Sequence, residues 1–225
     1  MINLGKKLYI YIFRHGQTDF NEKGIFTGWL DAKLTPRGIK SARVVAQKLK
    51  NKKIDVAFHT RLSRSKDTLK EVLKFHPECR KKILDDRIIE RNYGKLNGVS
   101  HEEFIRRIGN QEYDLLKEGD AIENLSPRDR KKVQKFLGEN EYKIIHRGYN
   151  TAPPGGESFA DVEKRVGSFI KDLTKKMKKE KINVAISAHG NSIRLFRKIM
   201  ERASVDKMTS WFIPYDRVYV YSISV

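Results

Sequence analysis

The sequence predicts an α/β fold, a three-layer αβα domain with a largely parallel central sheet and an additional helical insertion. Two observations support it. The apolar run 8–13 is followed by Arg14-His15-Gly16 and the run 182–188 by His189-Gly190, and short strand-like runs alternate with amphipathic helices along the chain. At 225 residues, with 39% hydrophobic residues, the chain can bury the core of one domain. We therefore expect a single domain over residues 1–225.

The individual elements follow from local signals. Strands are predicted from short runs of β-branched and aromatic residues, at 8–13, 54–58, 83–84, 182–188 and 218–223. Helices are predicted from capping residues and apolar periodicity, and they begin after Thr35, at about Leu62, after Ser158, at about Asn191 and after Ser204. The stretch between the first strand and the first helix, 18–34, contains glycines and is expected to be an ordered loop over the site.

The middle of the chain carries a helical insertion. Ser100, with Glu103 three residues later, has the pattern of a capping box, and Ser126-Pro127 restarts the helical pattern. We therefore expect two or three short helices within an insertion of about 100–145, which would act as a lid over the sheet. The following segment, 146–157, is rich in glycine and proline and is predicted to be a loop.

The two His-Gly pairs indicate the chemistry. If their strands are parallel neighbours, His15 and His189 lie side by side at the edge of the sheet where ligands bind. A neutral imidazole can attack a phosphoryl group in line, and the charge on the phosphoryl oxygens then requires fixed cations. Arg14, Arg64 and His189 are the candidates, because phosphate selects for such donors. Glu90 is the candidate that protonates the leaving oxygen or deprotonates the acceptor.

Other interpretations of these residues stay open. A single histidine after a strand is usually structural, the two arginines could bridge carboxylates, and Glu90 could pair with Arg91 or cap a turn. Two histidines could also bind zinc, but the sequence has neither a His-Glu-x-x-His motif nor clustered cysteines. We therefore predict no metal. Walker and Gly-x-Ser-x-Gly motifs do not occur either, so nucleotide hydrolysis of that type and serine-esterase chemistry are excluded.

The composition of the chain predicts its partners and its compartment. The net charge of +19, from 47 Lys and Arg against 28 Asp and Glu, indicates an anionic partner. The lysines are scattered over many segments and no nucleic-acid-binding signature occurs, so we predict no specific nucleic-acid binding. A basic, non-catalytic binding protein is the alternative outside enzymes. The single cysteine, Cys79, and the lack of a leader or of a membrane-length apolar run predict a cytoplasmic protein without membrane contact.

Taken together, the site residues resemble the histidine phosphatase superfamily over nearly the whole chain. Within it, the sequence resembles the cofactor-dependent phosphoglycerate mutases through 14–18 with Asn21, 26–31, 90–94, 147–149 and 188–192. This resemblance implies a phosphoglycerate mutase-like fold. It also implies interconversion of 3-phosphoglycerate and 2-phosphoglycerate, in glycolysis and gluconeogenesis, through a phosphohistidine at His15 that 2,3-bisphosphoglycerate primes.

The resemblance also implies roles for individual residues. Arg14, Arg64 and His189 would hold the transferring phosphoryl group, and Glu90 would act as acid and base. The remaining positions expected near the substrate are Asn21, Thr27, Gly28, Tyr93, His101, His146, Arg147, Gly190 and Asn191. The expected partner is therefore a small anionic phosphorylated substrate, and the oligomeric state stays open, with a homo-oligomer as one option.

Three features depart from the mutase pattern. His101 stands where the mutases usually have a lysine, and His146 stands where they usually have an arginine, so fixed positive charge is lost at the substrate end. The segment 153–158 resembles the broad-specificity phosphatase branch instead. The helical insertion, however, is longer than expected for that phosphatase branch. The alternative activity is therefore a phosphohistidine-dependent phosphatase that hydrolyses phosphomonoesters.

Overall fold

A computed structural model describes residues 7–224 of the chain, and its centre is one five-stranded sheet. The strands are β1 (Lys7–Arg14), β2 (Val56–His59), β3 (Lys81–Leu84), β4 (Val184–Ala188) and β5 (Val218–Ser224). Their order across the sheet is β3-β2-β4-β1-β5. The first four are parallel to one another, and β5 pairs antiparallel with β1. The predicted largely parallel sheet is confirmed, with an antiparallel strand at one edge.

Eight α-helices surround this sheet within the described residues. They are α1 (Asp19–Glu22), α2 (Pro36–Leu49), α3 (Ser63–Leu73), α4 (His101–Glu118), α5 (Pro127–Arg147), α6 (Phe159–Glu180), α7 (Gly190–Glu201) and α8 (Val205–Ser210). The predicted helix starts after Thr35 and Ser158 are confirmed, and both residues cap their helices. The Thr35 hydroxyl accepts a hydrogen bond from the Gly38 N–H, and Ser158 forms a reciprocal capping box with Asp161.

The alternation of side chains along β1 divides the core into two layers. Leu8, Ile10 and Ile12 point to one face, where they pack against α6 and α7, while Tyr11 and Phe13 point to the other face and pack against α2 and α3. Because both faces are covered at the centre of the sheet, the central strands β2 and β4 are buried on both sides, as in parallel sheets generally. The three-layer αβα arrangement is confirmed.

The helical insertion differs from the prediction. In place of two or three short helices, it holds two long ones, α4 and α5, which run antiparallel. Their backbones approach closely at two glycines: a Cβ on Gly109 would lie 1.9 Å from the Gln134 carbonyl oxygen, and one on Gly138 would lie 2.0 Å from that of Ile105. The only break lies between α4 and α5, where Asp120 takes a left-handed conformation, so Ser126-Pro127 starts the second helix and not a third.

Two loop boundaries also differ from the prediction. Helix α5 extends through Arg147, so His146 and Arg147 occupy its last turn, and the non-helical segment begins only at Gly148. The sequence prediction that this loop starts at position 146 is wrong, because Gly148 ends the helix and the more distant Pro153 does not. The loop over 18–34 contains the short helix α1. Among residues 7–224, no helix is long and apolar enough to cross a bilayer.

Candidate active site

The two histidines meet where β1 and β4 end. These strands are parallel neighbours with Arg14 opposite Ala188, so the next residue on each strand is a histidine. The backbone N–H of His15 donates to the Ala188 carbonyl at 3.0 Å, which fixes the register at this point. The ring centroids of His15 and His189 lie 5.0 Å apart, and both side chains are buried. The structure thus meets the condition on which the paired-histidine hypothesis depends.

The hydrogen bond of His15 selects its tautomer. Its Nδ1 lies 2.7 Å from the Gly16 carbonyl oxygen, which can only accept, so Nδ1 carries the proton. Burial lowers the pKa of His15 well below its ordinary value, and the neighbouring charges of Arg64 and Arg14 lower it further. The imidazole is therefore neutral at physiological pH, and its Nε2 carries a lone pair. This is the state that a nitrogen nucleophile requires.

His189 is oriented by a residue that the sequence analysis missed. The hydroxyl of Thr60, which is fully buried at the end of β2, lies 2.8 Å from Nε2 of His189. Burial and then the charges of Arg64 and His15 lower the pKa of His189. The helix that carries Arg64 follows Thr60, so the end of strand β2 supplies both the hydrogen-bond partner of His189 and the cation Arg64. The position of Thr60 directly after an apolar strand is the sequence signal that could have identified it.

Arg64 is fixed by the loop that precedes α2. Its two terminal nitrogens donate to the carbonyl oxygens of Leu30 and Gly28, both at 2.8 Å, and the side chain is 1% exposed. Gly28 has φ +47°, and a Cβ there would lie 1.9 Å from Oδ1 of Asn97, so the loop requires glycine at this position. Burial lowers the pKa of Arg64 to about 10, and the side chain stays charged at physiological pH.

Arg14 approaches the same point from β1. It donates to the Ile213 carbonyl at 2.9 Å, and its guanidinium lies 4.2 Å from the centre of the Tyr215 ring. The N-terminus of α7 comes close on the other side, because a Cβ on Gly190 would already be 3.4 Å from the guanidinium carbon. Arg14, Arg64 and the N-terminus of α7 place positive charge around His15, and such an arrangement favours an anion.

Glu90 lies beside the histidines and is 8% exposed. One carboxylate oxygen accepts hydrogen bonds from the backbone N–H groups of Arg91, at 2.8 Å, and of Asn191, at 3.1 Å. Its backbone carbonyl accepts from Trp29 Nε1 at 2.7 Å and from Arg165 at 3.1 Å. One carboxylate oxygen is therefore held by the protein, and the other has no protein partner among residues 7–224 and can exchange a proton with a ligand.

A second cationic group lies further along the same cavity. Arg194 donates to the Asn191 side-chain oxygen at 2.5 Å and to the Trp211 carbonyl at 2.9 Å, while Arg147 donates to the Thr209 carbonyl at 3.0 Å. Burial, followed by the charge of Arg147, lowers the pKa of Arg194 to about 10. The sequence analysis identified Arg147 but not Arg194, although Arg194 lies three residues after Asn191 and so on the same face of α7.

The two histidines of the insertion, His101 and His146, pack against aromatic rings at the wall of the cavity. The His146 ring is nearly parallel to Tyr142, with centroids 5.1 Å apart and an angle of 11°, and to Tyr93, at 6.3 Å and 9°. Burial, and then Arg147 and Arg194, lower the pKa of His146 to about 3. Burial also lowers the pKa of His101, whose Nδ1 lies 3.3 Å from the Tyr142 hydroxyl. Both imidazoles are neutral at physiological pH.

The loop over 18–34 completes the wall of the cavity. Thr18 and Asn21 form a reciprocal capping box at the start of α1, with both hydrogen bonds at 3.2 Å, so the amide of Asn21 is fixed. The Thr27 hydroxyl donates to the Ile25 carbonyl at 3.4 Å. These contacts fix the conformation of the loop, and Asn21, Thr27 and Gly28 from the predicted loop line the cavity.

All these groups line one cavity of about 240 Å³. His189 is fully buried, with its ring centroid 5.0 Å from that of His15. The other residues that the sequence analysis placed in the site line the cavity: Arg14, His15, Asn21, Thr27, Gly28, Arg64, Glu90, Tyr93, His101, His146, Arg147, Gly190 and Asn191. The cavity also has walls from Arg194, Phe212 and Tyr215. Tyr215 and Phe212 lie in an irregular segment before β5, where no local sequence pattern marks them.

The same residues include a set that could bind a metal. Donor atoms of His15, Glu90 and His189 all lie within 4.8 Å of one another. Two imidazoles and a carboxylate form a known zinc set. The positive charges of Arg14 and Arg64 act on both rings, however, and oppose a divalent cation while attracting an anion. The electrostatic surroundings therefore favour a phosphoryl group at this position.

Comparison with known proteins places the chain in a family. The model of the histidine phosphatase superfamily (branch 1) matches residues 10–126 and 114–224. A 2,3-bisphosphoglycerate-dependent phosphoglycerate mutase of Pseudoalteromonas atlantica is 28% identical over 211 residues, 93% of this chain and 91% of that protein.

Two solved structures are similar in fold. The alpha-ribazole phosphatase from Shigella flexneri has a TM-score of 0.70 at 20% identity, covering 97% of this chain and 95% of that one. The phosphoglycerate mutase from Bacillus anthracis has a TM-score of 0.69 at 19% identity, covering 98% and 90%. The fold is thus shared equally with a phosphatase and a mutase. From the match of the family model along nearly its whole length, the chain belongs to branch 1 of the histidine phosphatase superfamily.

Proposed function

We propose that the protein is a 2,3-bisphosphoglycerate-dependent phosphoglycerate mutase that interconverts 3-phosphoglycerate and 2-phosphoglycerate through a phosphohistidine at His15. The observation that carries this proposal is the division of the cationic groups within one cavity. Arg14 and Arg64 act on His15, whereas Arg147 and Arg194 act on His146. A small substrate with a phosphoryl group and a second anionic group fits such a cavity, and a phosphoglycerate has both.

Transfer begins at Nε2 of His15, whose lone pair attacks phosphorus as the bond from phosphorus to the substrate oxygen breaks. The hydrogen bond from Nδ1 to the Gly16 carbonyl holds the ring in place and stabilises the positive charge that the ring gains. Arg14, Arg64 and His189 surround the phosphoryl oxygens in the transition state, where fixed donors contribute most.

Proton transfer belongs to Glu90. Its carboxyl group gives a proton to the leaving oxygen as the phosphohistidine forms, and takes a proton from the accepting hydroxyl as the phosphoryl group returns. The two backbone N–H groups that hold one carboxylate oxygen keep the group directed into the cavity. When bound, 2,3-bisphosphoglycerate supplies the first phosphoryl group to His15.

The second anionic group of the substrate is assigned to Arg147 and Arg194. His101 and His146 are neutral, so these two arginines are the charged donors at that end of the cavity among the described residues. A guanidinium pair matches the geometry of a carboxylate. In a mutase, Arg147 and Arg194 must keep the bisphosphorylated intermediate bound while it reorients, because transfer of the phosphoryl group to water would end the cycle.

The second candidate is a phosphomonoester phosphatase with the same His15 chemistry. The neutral state of His101 and His146 favours it, because each stands where the mutases usually carry a fixed cation. A phosphatase transfers the phosphoryl group to water, so weaker binding of the substrate at the Arg147 and Arg194 end of the cavity is sufficient for it. The name of the curated relatives favours the mutase.

Phosphorus NMR separates the two candidates. We expect that purified protein with 3-phosphoglycerate and a trace of 2,3-bisphosphoglycerate forms 2-phosphoglycerate, and that omission of the bisphosphate slows this reaction at least tenfold. The control is His15→Asn, which should be inactive, alongside His76→Asn, which changes a buried histidine outside the cavity. Growth of inorganic phosphate without 2-phosphoglycerate would instead assign a phosphatase.

We further propose that the enzyme is cytoplasmic and that it needs no metal. The positive surroundings of His15 are the reason for the second proposal. Turnover that survives dialysis against a strong chelator supports it, and restoration of lost turnover by Zn²⁺ would overturn it.

A further inference from the structure

The proposed reaction uses few of the positive charges in this chain, whose net charge is +19. Along the sequence the lysines look scattered, but the topology gathers many of them. The connections from β1 to β2, from β2 to β3 and from β3 to β4 each return the chain to the edge of the sheet opposite His15, where the next parallel strand begins. A run of basic residues stands at three of these strand starts, just before or at the first residues of β2, β3 and β4.

We call this surface the amino-edge cluster. Its nine members are all exposed: Lys50, Lys52, Lys53, Arg80, Lys81, Lys82, Lys178, Lys179 and Lys181. The register brings the three runs together, because Val56 of β2 is opposite both Lys81 of β3 and Val184 of β4. Neighbouring strands are about 4.8 Å apart, so the three runs form a row about 10 Å long.

Few carboxylates neutralise this row. Among residues 7–224, Lys53 is the one member of the cluster with a carboxylate oxygen within 4.0 Å, that of Asp55 at 3.2 Å. Two further carboxylates lie among the runs: Glu180 is paired with Lys176 at 2.5 Å and also feels the charges of Lys81 and Lys179, and Glu78 accepts a hydrogen bond from the Ile54 N–H at 3.5 Å. Nine cations therefore face three carboxylates, those of Asp55, Glu78 and Glu180. The row therefore keeps a large positive excess at a single edge, remote from the cavity, and requires an anionic partner of its own or a layer of counterions.

We infer that the amino-edge cluster binds the phosphodiester backbone of duplex nucleic acid without sequence specificity. A row of cations about 10 Å long spans about three phosphates, since each strand of a duplex carries one phosphate per about 3.4 Å of axis. Stacking on single-stranded bases requires exposed aromatic rings, and insertion into a membrane requires exposed apolar side chains. In the segments that lead into the three strands, 49–55, 74–82 and 177–183, Phe75 is the one exposed large apolar side chain and the one exposed aromatic ring, and a single ring cannot stack successive bases.

Counterion release gives the inference a measurable consequence. Each phosphate that a lysine neutralises contributes about −0.9 to the slope of log K against log salt concentration. Reversal of three lysines, one in each run, should reduce the magnitude of that slope by about 3, whereas loss of equal charge elsewhere should change it by less than 1.

The test compares two variants of equal charge. In K52E/K82E/K179E the three reversals lie in the cluster, and in R106E/R107E/K131E they lie on exposed positions of α4 and α5. Both lower the net charge from +19 to +13, since each reversal removes two charges. Binding to a fluorescent 20-base-pair duplex is followed by anisotropy from about 30 to 200 mM KCl, and circular dichroism verifies that each variant is folded.

We expect the slope to fall only in the cluster variant. An equal fall in both variants would show that binding reflects net charge and would overturn the inference, as would duplex binding that does not depend on salt. Binding to vesicles with 30% phosphatidylserine but not to the duplex would overturn it in favour of a membrane. If reversal unfolds the protein, K52Q/K82Q/K179Q and R106Q/R107Q/K131Q give the same comparison. The outcome is independent of which phosphoryl-transfer reaction the cavity catalyses.

Discussion

The neutral state of His146 makes the stability of this enzyme depend on pH. Its pKa is about 3 in the folded protein, against an ordinary value of 6.5 that applies to the unfolded chain. The folded state therefore favours the neutral ring. The free energy of unfolding is therefore unaffected by the protonation of His146 above pH 6.5, and it falls by about 1.36 kcal/mol per pH unit as the pH falls from 6.5 towards 3. At pH 4.5 the loss from this one residue is about 2.7 kcal/mol.

Replacement of His146 by phenylalanine should remove this dependence. Phenylalanine keeps a ring between Tyr93 and Tyr142, and it removes the buried Nδ1 of His146, which has no hydrogen-bond partner among residues 7–224. At pH 7.5 the free energy of unfolding of H146F should therefore match that of the wild type within about 1 kcal/mol. At pH 4.5 the variant should be more stable than the wild type by about 2–3 kcal/mol.

Urea unfolding at the two pH values measures the difference. The other histidines are common to both proteins, so subtraction isolates His146. His59→Phe, at a half-buried histidine with no place in the cavity, is the matched substitution of a second imidazole by phenylalanine. Equal pH dependence in H146F and the wild type would refute the assignment of a buried, neutral His146.

Three further predictions concern single contacts. Arg64→Lys keeps the charge but loses the planar fork that binds two carbonyls, so kcat should fall about 10²–10³-fold; an unchanged kcat would contradict its place at the phosphoryl group. Thr60→Val removes the hydroxyl at His189 and should lower kcat about 5–100-fold, while Thr60→Ser should restore most of it; a serine variant as poor as valine would argue for a packing role. Gly38→Ala should destabilise the fold by about 1–3 kcal/mol, because its Cβ would lie 2.0 Å from a backbone carbonyl, whereas Gly167→Ala, with 3.7 Å of space in a helix, should stabilise it by about 0.5–1 kcal/mol. Thermal and urea unfolding compare the two glycine variants.

The sequence predicts this fold well where local chemistry determines it. Thr35-Pro36 and Ser158 with Asp161 start helices because their side chains satisfy the first free N–H groups, and that interaction needs no distant residue. The two strand-His-Gly units likewise predict that two imidazoles end on one sheet edge. The prediction depends on the strands being neighbours, which only the tertiary structure decides.

Other features depend on contacts between distant parts of the chain. Helices α4 and α5 are longer than predicted because Gly109 and Gly138 allow close packing, which no capping signal reports. His146 belongs to a helix because α5 continues to Gly148, beyond the point at which the sequence predicts a loop. Tyr215 contacts Arg14 from an irregular segment whose own sequence gives no functional signal. The amino-edge cluster is likewise invisible along the chain, because its three runs are separated by tens of residues and meet only through the strand order.

The most direct test of the account is whether His15 carries the phosphoryl group. The protein is incubated briefly with 2,3-bisphosphoglycerate labelled in its phosphoryl groups, quenched in alkali, digested and analysed by mass spectrometry. We expect a phosphate on His15 that is stable in alkali and lost in acid, and that disappears when 3-phosphoglycerate is added before the quench. A label that is absent from the wild type, or that persists in His15→Asn, would contradict the assignment of His15 as the nucleophile and with it the proposed mechanism.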